Sequence, residues 1–160
     1  MSDYLVKLYE LPALEAALKK VEENGFVLRR ALAPEKSIIV DWVRERFAPN
    51  WADECDVSFS NRPISCFIVI KEGEVAGFAC YDSTGRAFFG PTGVGEEYRG
   101  SGLGRALLLR SLHAMWHEGY AYAIIGAGGG AEAFYRKAVG AVPIEGSKPG
   151  IYRGLLKRKG

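Results

Sequence analysis

Hydrophobic positions recur along this chain with two periods. Leu14, Leu18 and Val21 share one face of a 3.6-residue repeat, with Glu15, Lys19 and Glu22 opposite and Gly25 as the stop, so Pro12–Asn24 reads as a helix. Pro34–Phe47 reads as a second, with Ile38, Ile39, Trp42, Val43 and Phe47 as its apolar stripe. Leu103, Leu107, Leu108, Leu112, Met115 and Trp116 mark a long helix reaching Glu118, and Ala131–Val139 a short one ended by Gly140. Between these lie β-forming runs: Phe26–Ala31, Ile64–Lys71, Val75–Tyr81, Ala87–Val94, Tyr120–Ile125, Ala141–Ile144 and Ile151–Leu156. Tyr4–Tyr9 fits a short strand or an irregular arm, and Ala48–Pro63 a loop or broken helix. The turns at Glu72-Gly73 and Ser83-Thr84-Gly85 are too short for crossovers, so the three strands they join are antiparallel. The pattern predicts a mixed α/β domain with helices packed on one central sheet.

Composition narrows the class. The chain has 160 residues, 48% of them hydrophobic, and a net charge of +2, so neither nucleic acid nor an anionic membrane is required as partner. Cys55, Cys66 and Cys80 show no CxxC spacing, so neither a disulfide framework nor a metal site is expected; Cys66 and Cys80 read as buried thiols and Cys55 as more exposed. No signal peptide or membrane span is apparent, and the expected compartment is the cytoplasm.

The chemistry begins at Tyr98-Arg99-Gly100-Ser101-Gly102-Leu103-Gly104, between a strand and a helix. The first N–H groups of a helix lack internal acceptors, and glycines let a phosphate approach them closely. Arg99 and Arg105 add charge at the two ends of this turn, completing a pyrophosphate cradle. A nucleotide triphosphatase loop needs Lys and then Ser or Thr after its last glycine, whereas Gly104 is followed by Arg105-Ala106. Gly126-x-Gly128-x-x-Ala131, with Glu145 downstream, approaches a dinucleotide fingerprint, but only residues 132–160 remain to build the rest of such a sheet.

Val94-Gly95-Glu96-Glu97-Tyr98-Arg99-Gly100-Ser101-Gly102-Leu103-Gly104 resembles the acyl-CoA signature of the GCN5-related N-acetyltransferase (GNAT) superfamily. Ala131-x-x-Phe134-Tyr135-Arg136-Lys137-x-x-Gly140-Ala141 is similar to its second signature. The resemblance implies a mostly antiparallel sheet, splayed at the strand before the glycine loop, with helices on both faces. It implies a single domain over 1–160, with 1–25 an extension outside a core of 26–156. It implies acetyl-CoA as cosubstrate and transfer of an acetyl or short acyl group to a primary amine through a tetrahedral intermediate. The competing reading is a non-catalytic acyl-CoA sensor.

By position, Arg99, Gly100, Ser101, Gly102, Leu103, Gly104 and Arg105 would hold the pyrophosphate, and Thr92, Gly93 and Val94 would pair with pantetheine. Gly128 stands where relatives often carry Asn, and Phe134 completes the cofactor set. Val94 N–H is the expected oxyanion donor and Tyr135 the expected acid for the departing thiolate. For the general base the acids weighed are Asp82, Glu54 and Asp56; Glu96 and Glu97 are set aside because they flank the loop. His113 and His117 read as solvated. The acceptor, a small-molecule or protein amine, is expected between Phe47–Arg62 and Glu145–Tyr152. There Trp51, Asp53, Glu54, Asp56 and Phe59 suit a cation, and Arg62 and Lys148 a carboxylate. A monomer or homodimer is expected.

Overall fold

Seven strands form one sheet in the computed structural model, which describes residues 1–160. They are β1 (Ser2–Lys7), β2 (Val27–Arg30), β3 (Cys66–Lys71), β4 (Glu74–Tyr81), β5 (Phe88–Val94), β6 (Tyr122–Ala127) and β7 (Val142–Pro143), in the order β2-β3-β4-β5-β6-β1-β7. Every neighbouring pair is antiparallel except β5 and β6. The helices are α1 (Glu15–Glu23), α2 (Lys36–Arg46), α3 (Pro49–Ser58), α4 (Leu103–His117) and α5 (Ala131–Val139). The expected mixed α/β class and mostly antiparallel sheet are both present.

Side-chain alternation splits the interior into two cores. Phe67 and Val69 of β3 point into the core shared with α1, α4 and α5, while Cys66 and Ile68 point into the core under α2 and α3. Leu103, Leu107, Leu108, Leu112 and Met115 of α4 are buried as the periodicity predicts, but Trp116 stays 43% exposed at the helix end. Removing one of these leucines to Ala would cost about 2–5 kcal/mol in lost burial and cavity. Cys55 proves as buried as Cys66 and Cys80, and all three are free thiols. Burial pushes the Cys80 thiol well above its usual range.

Four segments depart from the sequence reading. Residues 49–58 form a continuous helix, α3: Pro49 occupies its first turn, and Ala52, Cys55 and the flanking Phe59 recur on its buried side. Its Pro and Asn thus mark a helix start rather than a loop. Residues 2–7, read as lying outside the core, form the interior strand β1, paired with β6 from Ser2–Ala127 to Lys7–Tyr122 and with β7 at Tyr4 and Leu5. The strand expected at 151–156 does not form. β1 fills the place beside β6 and β7 the place beyond it; Gly150–Tyr152 makes a 3-10 turn, and Leu155 and Leu156 are exposed. The strand expected over 141–144 is reduced to Val142–Pro143.

Candidate functional site

The parallel seam of the sheet opens almost as soon as it forms. β5 and β6 pair only at Phe88–Ile124 and Phe89–Ile125. Gly90 then takes a left-handed φ of +114° and the strands part. On its other side β5 stays paired with β4 through Thr92, Gly93 and Val94. Gly95 N–H donates to Ala76 O at 2.8 Å, so by the antiparallel alternation the peptide groups of Thr92 and Val94 face away from β4, into the open seam. The Thr92 hydroxyl donates to Phe78 O at 3.0 Å, which fixes that side chain. Gly93 is required by a close approach: a Cβ there would lie 2.4 Å from Cζ of Phe47.

The glycine loop sits at the end of that seam. Glu96–Tyr98 makes a 3-10 turn, anchored by the edge-on packing of Tyr98 against Phe26 at 5.4 Å. The Ser101 hydroxyl donates to Tyr98 O, and Arg99 Nε to Val94 O at 3.4 Å. Gly100 and Gly102 have φ of +85° and +82°, and Gly102 is the N-cap of α4 with no side-chain cap. The N–H groups of Leu103, Gly104 and Arg105 therefore lack intrahelical acceptors. In front of them lies a cavity of about 400 Å³ whose lining includes Lys20, Arg99, Gly100, Gly102, Arg105 and Phe134. Nothing lies within 4 Å of a Cβ built on Gly100, so the backbone is open to a bulky anion. These residues fit a pyrophosphate: unpaired N–H groups, a helix N-terminus and three cationic side chains. Lys20, on α1, was not anticipated; its Nζ is 3.1 Å from where a Gly102 Cβ would lie.

A second cavity, of about 350 Å³, runs from the open seam toward α3. Thr92 and Gly128 line opposite sides of the seam, and Tyr135 lines the same space. Tyr135 is 8% exposed and packs edge-on against Phe89 at 6.4 Å. Its hydroxyl has no protein partner, yet no buried polar atom is left unpaired, so it opens on the cavity. Burial pushes its phenol up to about 12, which keeps it protonated at physiological pH. Phe134 points the other way, is 42% exposed and borders the loop cavity. Gly128 leaves room for Met1, whose Cα is 3.5 Å from a Cβ built there.

The acids weighed for the base separate cleanly. Asp82 accepts from Ala87 N–H and Tyr120 Oη, both at 2.8 Å, and so holds the β4–β5 turn. Asp56 pairs with Lys36 at 2.9 Å. Only Glu54 lines the cavity, accepting from the Thr84 hydroxyl. Arg62 Nη1 donates to Phe59 O and Asn61 O, each at 2.8 Å, while Asp53 and Lys148 are exposed outside the cavity and Phe59 is buried in the core. His113 Nε2 lies 2.8 Å from Pro12 O, and His117 is exposed. Thr84, Phe88 and Met1 were missed as lining residues, because only the folded turn and β1 bring them there.

A glycine loop at a helix start, reached from a splayed parallel seam in an otherwise antiparallel sheet, defines the GCN5-related N-acetyltransferase class. The family model described as the acetyltransferase (GNAT) family matches residues 36–141. The chain belongs to that family. The GCN5-related glucosamine N-acetyltransferase region of a fungal multi-domain GH3 beta-N-acetylglucosaminidase aligns at TM-score 0.71 and 12% identity, over 89% of this chain and 19% of that one. A GCN5-related N-acetyltransferase from Sphaerobacter thermophilus aligns at 0.63 and 18%, over 89% and 48%. One from Streptococcus suis, described as GCN5-related N-acetyltransferase-like, aligns at 0.61 and 14%, over 91% and 58%. This chain thus spans 19% to 58% of those proteins' lengths. No curated protein sequence matches it. No helix is long and apolar enough to cross a membrane.

Proposed function

We propose that the chain transfers an acetyl group from acetyl-CoA to an amine nitrogen. One observation carries the proposal: a single open seam has the Val94 peptide on one side, the Tyr135 hydroxyl in the space it enters, and an uncapped helix start at its end. The N–H groups at Leu103–Arg105, with Lys20, Arg99 and Arg105, hold the pyrophosphate of the cosubstrate, whose pantetheine end carries the activated thioester. Thr92 and Val94 offer strand-like hydrogen bonds to the pantetheine amides, with Gly93 between them. The Val94 N–H then faces the position where negative charge develops on the acyl oxygen. Tyr135 holds a proton for the departing sulfur. The burial that keeps the Tyr135 phenol protonated also raises the basicity of a thiolate released in the seam, so the hydroxyl donates first a hydrogen bond and then its proton to the departing sulfur.

The test is thiol release from acetyl-CoA over a panel of amines, with acetyl-CoA binding measured separately by calorimetry. Tyr135→Phe is expected to retain binding and to lose roughly 100-fold or more in kcat. Saturable binding with no amine acetylated would refute the transfer and leave a sensor. Absence of binding would refute both.

A further inference from the structure

The 350 Å³ cavity is charged on one side only. Among its lining residues Glu54 is the one ionic side chain; no Arg, Lys or His faces it. Glu54 projects from α3 one turn beyond Trp51, and Trp51, Phe88 and Tyr152 form aromatic walls around it. Thr84 donates its hydroxyl to Oε2 of Glu54, which fixes the carboxylate and leaves Oε1 without a protein partner. Arg62 is spent on two backbone carbonyls, and Lys148 is exposed elsewhere. Burial raises the Asp3 carboxyl above its usual range, against a smaller opposing pull from the Met1 amine. Burial raises the Tyr152 phenol, and the Glu54 and Asp3 carboxylates raise it further, so two acids act on this end of the cavity.

From this one-sided charge we propose that the acceptor is a small cationic amine with no carboxylate beside its reacting end, and that Glu54 is the residue that selects it. A carboxylate group entering this space finds no cationic side chain to pair with and meets Glu54 instead, so its desolvation is poorly compensated. An ammonium or alkylamine finds one anchored carboxylate and aromatic faces, the usual receptor for organic cations. The volume lies near the lower end for small-molecule sites and includes the seam that pantetheine would enter, so the part left near Glu54 suits a compact acceptor. Amino acids are thereby disfavoured against their decarboxylated counterparts.

The inference rests on the acetyl-transfer reading for the identity of the cavity, but binding tests it without turnover. Tyramine and tyrosine, and cadaverine and lysine, are titrated calorimetrically into the CoA-loaded protein. Each decarboxylated amine is expected to bind roughly 10- to 100-fold tighter than its amino acid. Glu54→Gln keeps the shape and the Thr84 hydrogen bond; it is expected to weaken tyramine by about tenfold or more, to shift tyrosine by less than about threefold and to leave CoA affinity unchanged. Equal or tighter binding of the amino acids, an unchanged ratio in Glu54→Gln, or no binding of either cationic amine would overturn the proposal. Selective amine binding with no thiol release would refute acetyl transfer and leave this inference standing.

Discussion

Gly93 and Phe47 form a pair whose coupling can be measured. Gly93 has no left-handed backbone, so its need for hydrogen at Cα comes from its neighbour. A methyl placed there would sit 2.4 Å from Cζ and 2.7 Å from Cε1 of Phe47. Ordinary carbon contact needs about 3.5–4.0 Å, so the ring must retreat by roughly 1–1.5 Å. It has little room, because it stacks on Trp51 at 5.3 Å and packs against Phe78 at 5.8 Å and Trp42 at 5.7 Å. Overpacking of this kind costs about 1–3 kcal/mol, so Gly93→Ala should lose that much stability. Phe47→Ala should lose about 2 kcal/mol, the ring being partly buried. In the double variant the new methyl enters space the ring has vacated. It should therefore be more stable than the sum of the two losses by at least about 1 kcal/mol. Urea unfolding of all four proteins, fitted with one common slope, gives the coupling. Additivity within about 0.5 kcal/mol would show that the ring does not press on Gly93, and the reasoning would fall.

Four further outcomes follow from the site. Gly102→Val forces a β-branched residue to a φ of +82° and crowds Lys20, so it should lose about 1–3 kcal/mol in a thermal melt and weaken acetyl-CoA severely by calorimetry. Lys20→Ala should weaken CoA roughly 3- to 10-fold and flatten the salt dependence of its affinity, with stability within about 0.5 kcal/mol of wild type. Phe134→Ala, which removes an exposed ring beside the loop cavity, should raise the KM for acetyl-CoA more than it lowers kcat. The phenols of Tyr81 and Tyr135 are both pushed up to about 12, chiefly by burial, while the unfolded chain titrates near 10. Between those values the folded state holds the extra protons, so their stabilisation is complete below about pH 10 and is lost as pH rises toward 12. Tyr135→Phe should make the alkaline fall in urea midpoint shallower; an unchanged slope would show that Tyr135 is not buried in solution.

Much of this site was legible because its signals are local. Gly100 and Gly102 announce a left-handed turn, Leu103 onward announces the helix, and Phe134-Tyr135 lies on a short amphipathic run. The features that escaped depend on which elements meet. Lys20 reads as one more exposed lysine until α1 is seen to lie beside the loop. Three acids looked equivalent as bases, and only the fold sends Asp82 to a turn, Asp56 to an ion pair and Glu54 to a cavity. The segment 151–156 carries strand-forming residues, yet propensity cannot say that β1 takes the place beside β6 and β7 the place beyond it. Residues 49–58 were obscured by composition, since Pro and Asn serve a helix start as well as a loop.

The place of β1 also sets an order of assembly. Ser2 pairs with Ala127 and Lys7 with Tyr122, so residues 2–7 wait for partners made more than a hundred residues later. A growing chain can join β2, β3, β4 and β5 through neighbouring contacts, but β6 keeps a bare edge until the start of the chain returns to it. Closing so long a loop is slow, and an unpaired interior edge is a template for association with another chain in the meantime. Because Met1 lines the cavity beside the open seam, that closure is also the step that finishes one of the cavity's walls. Refolding should therefore recover helical signal before it recovers ligand binding, with the delay set by the docking of six residues.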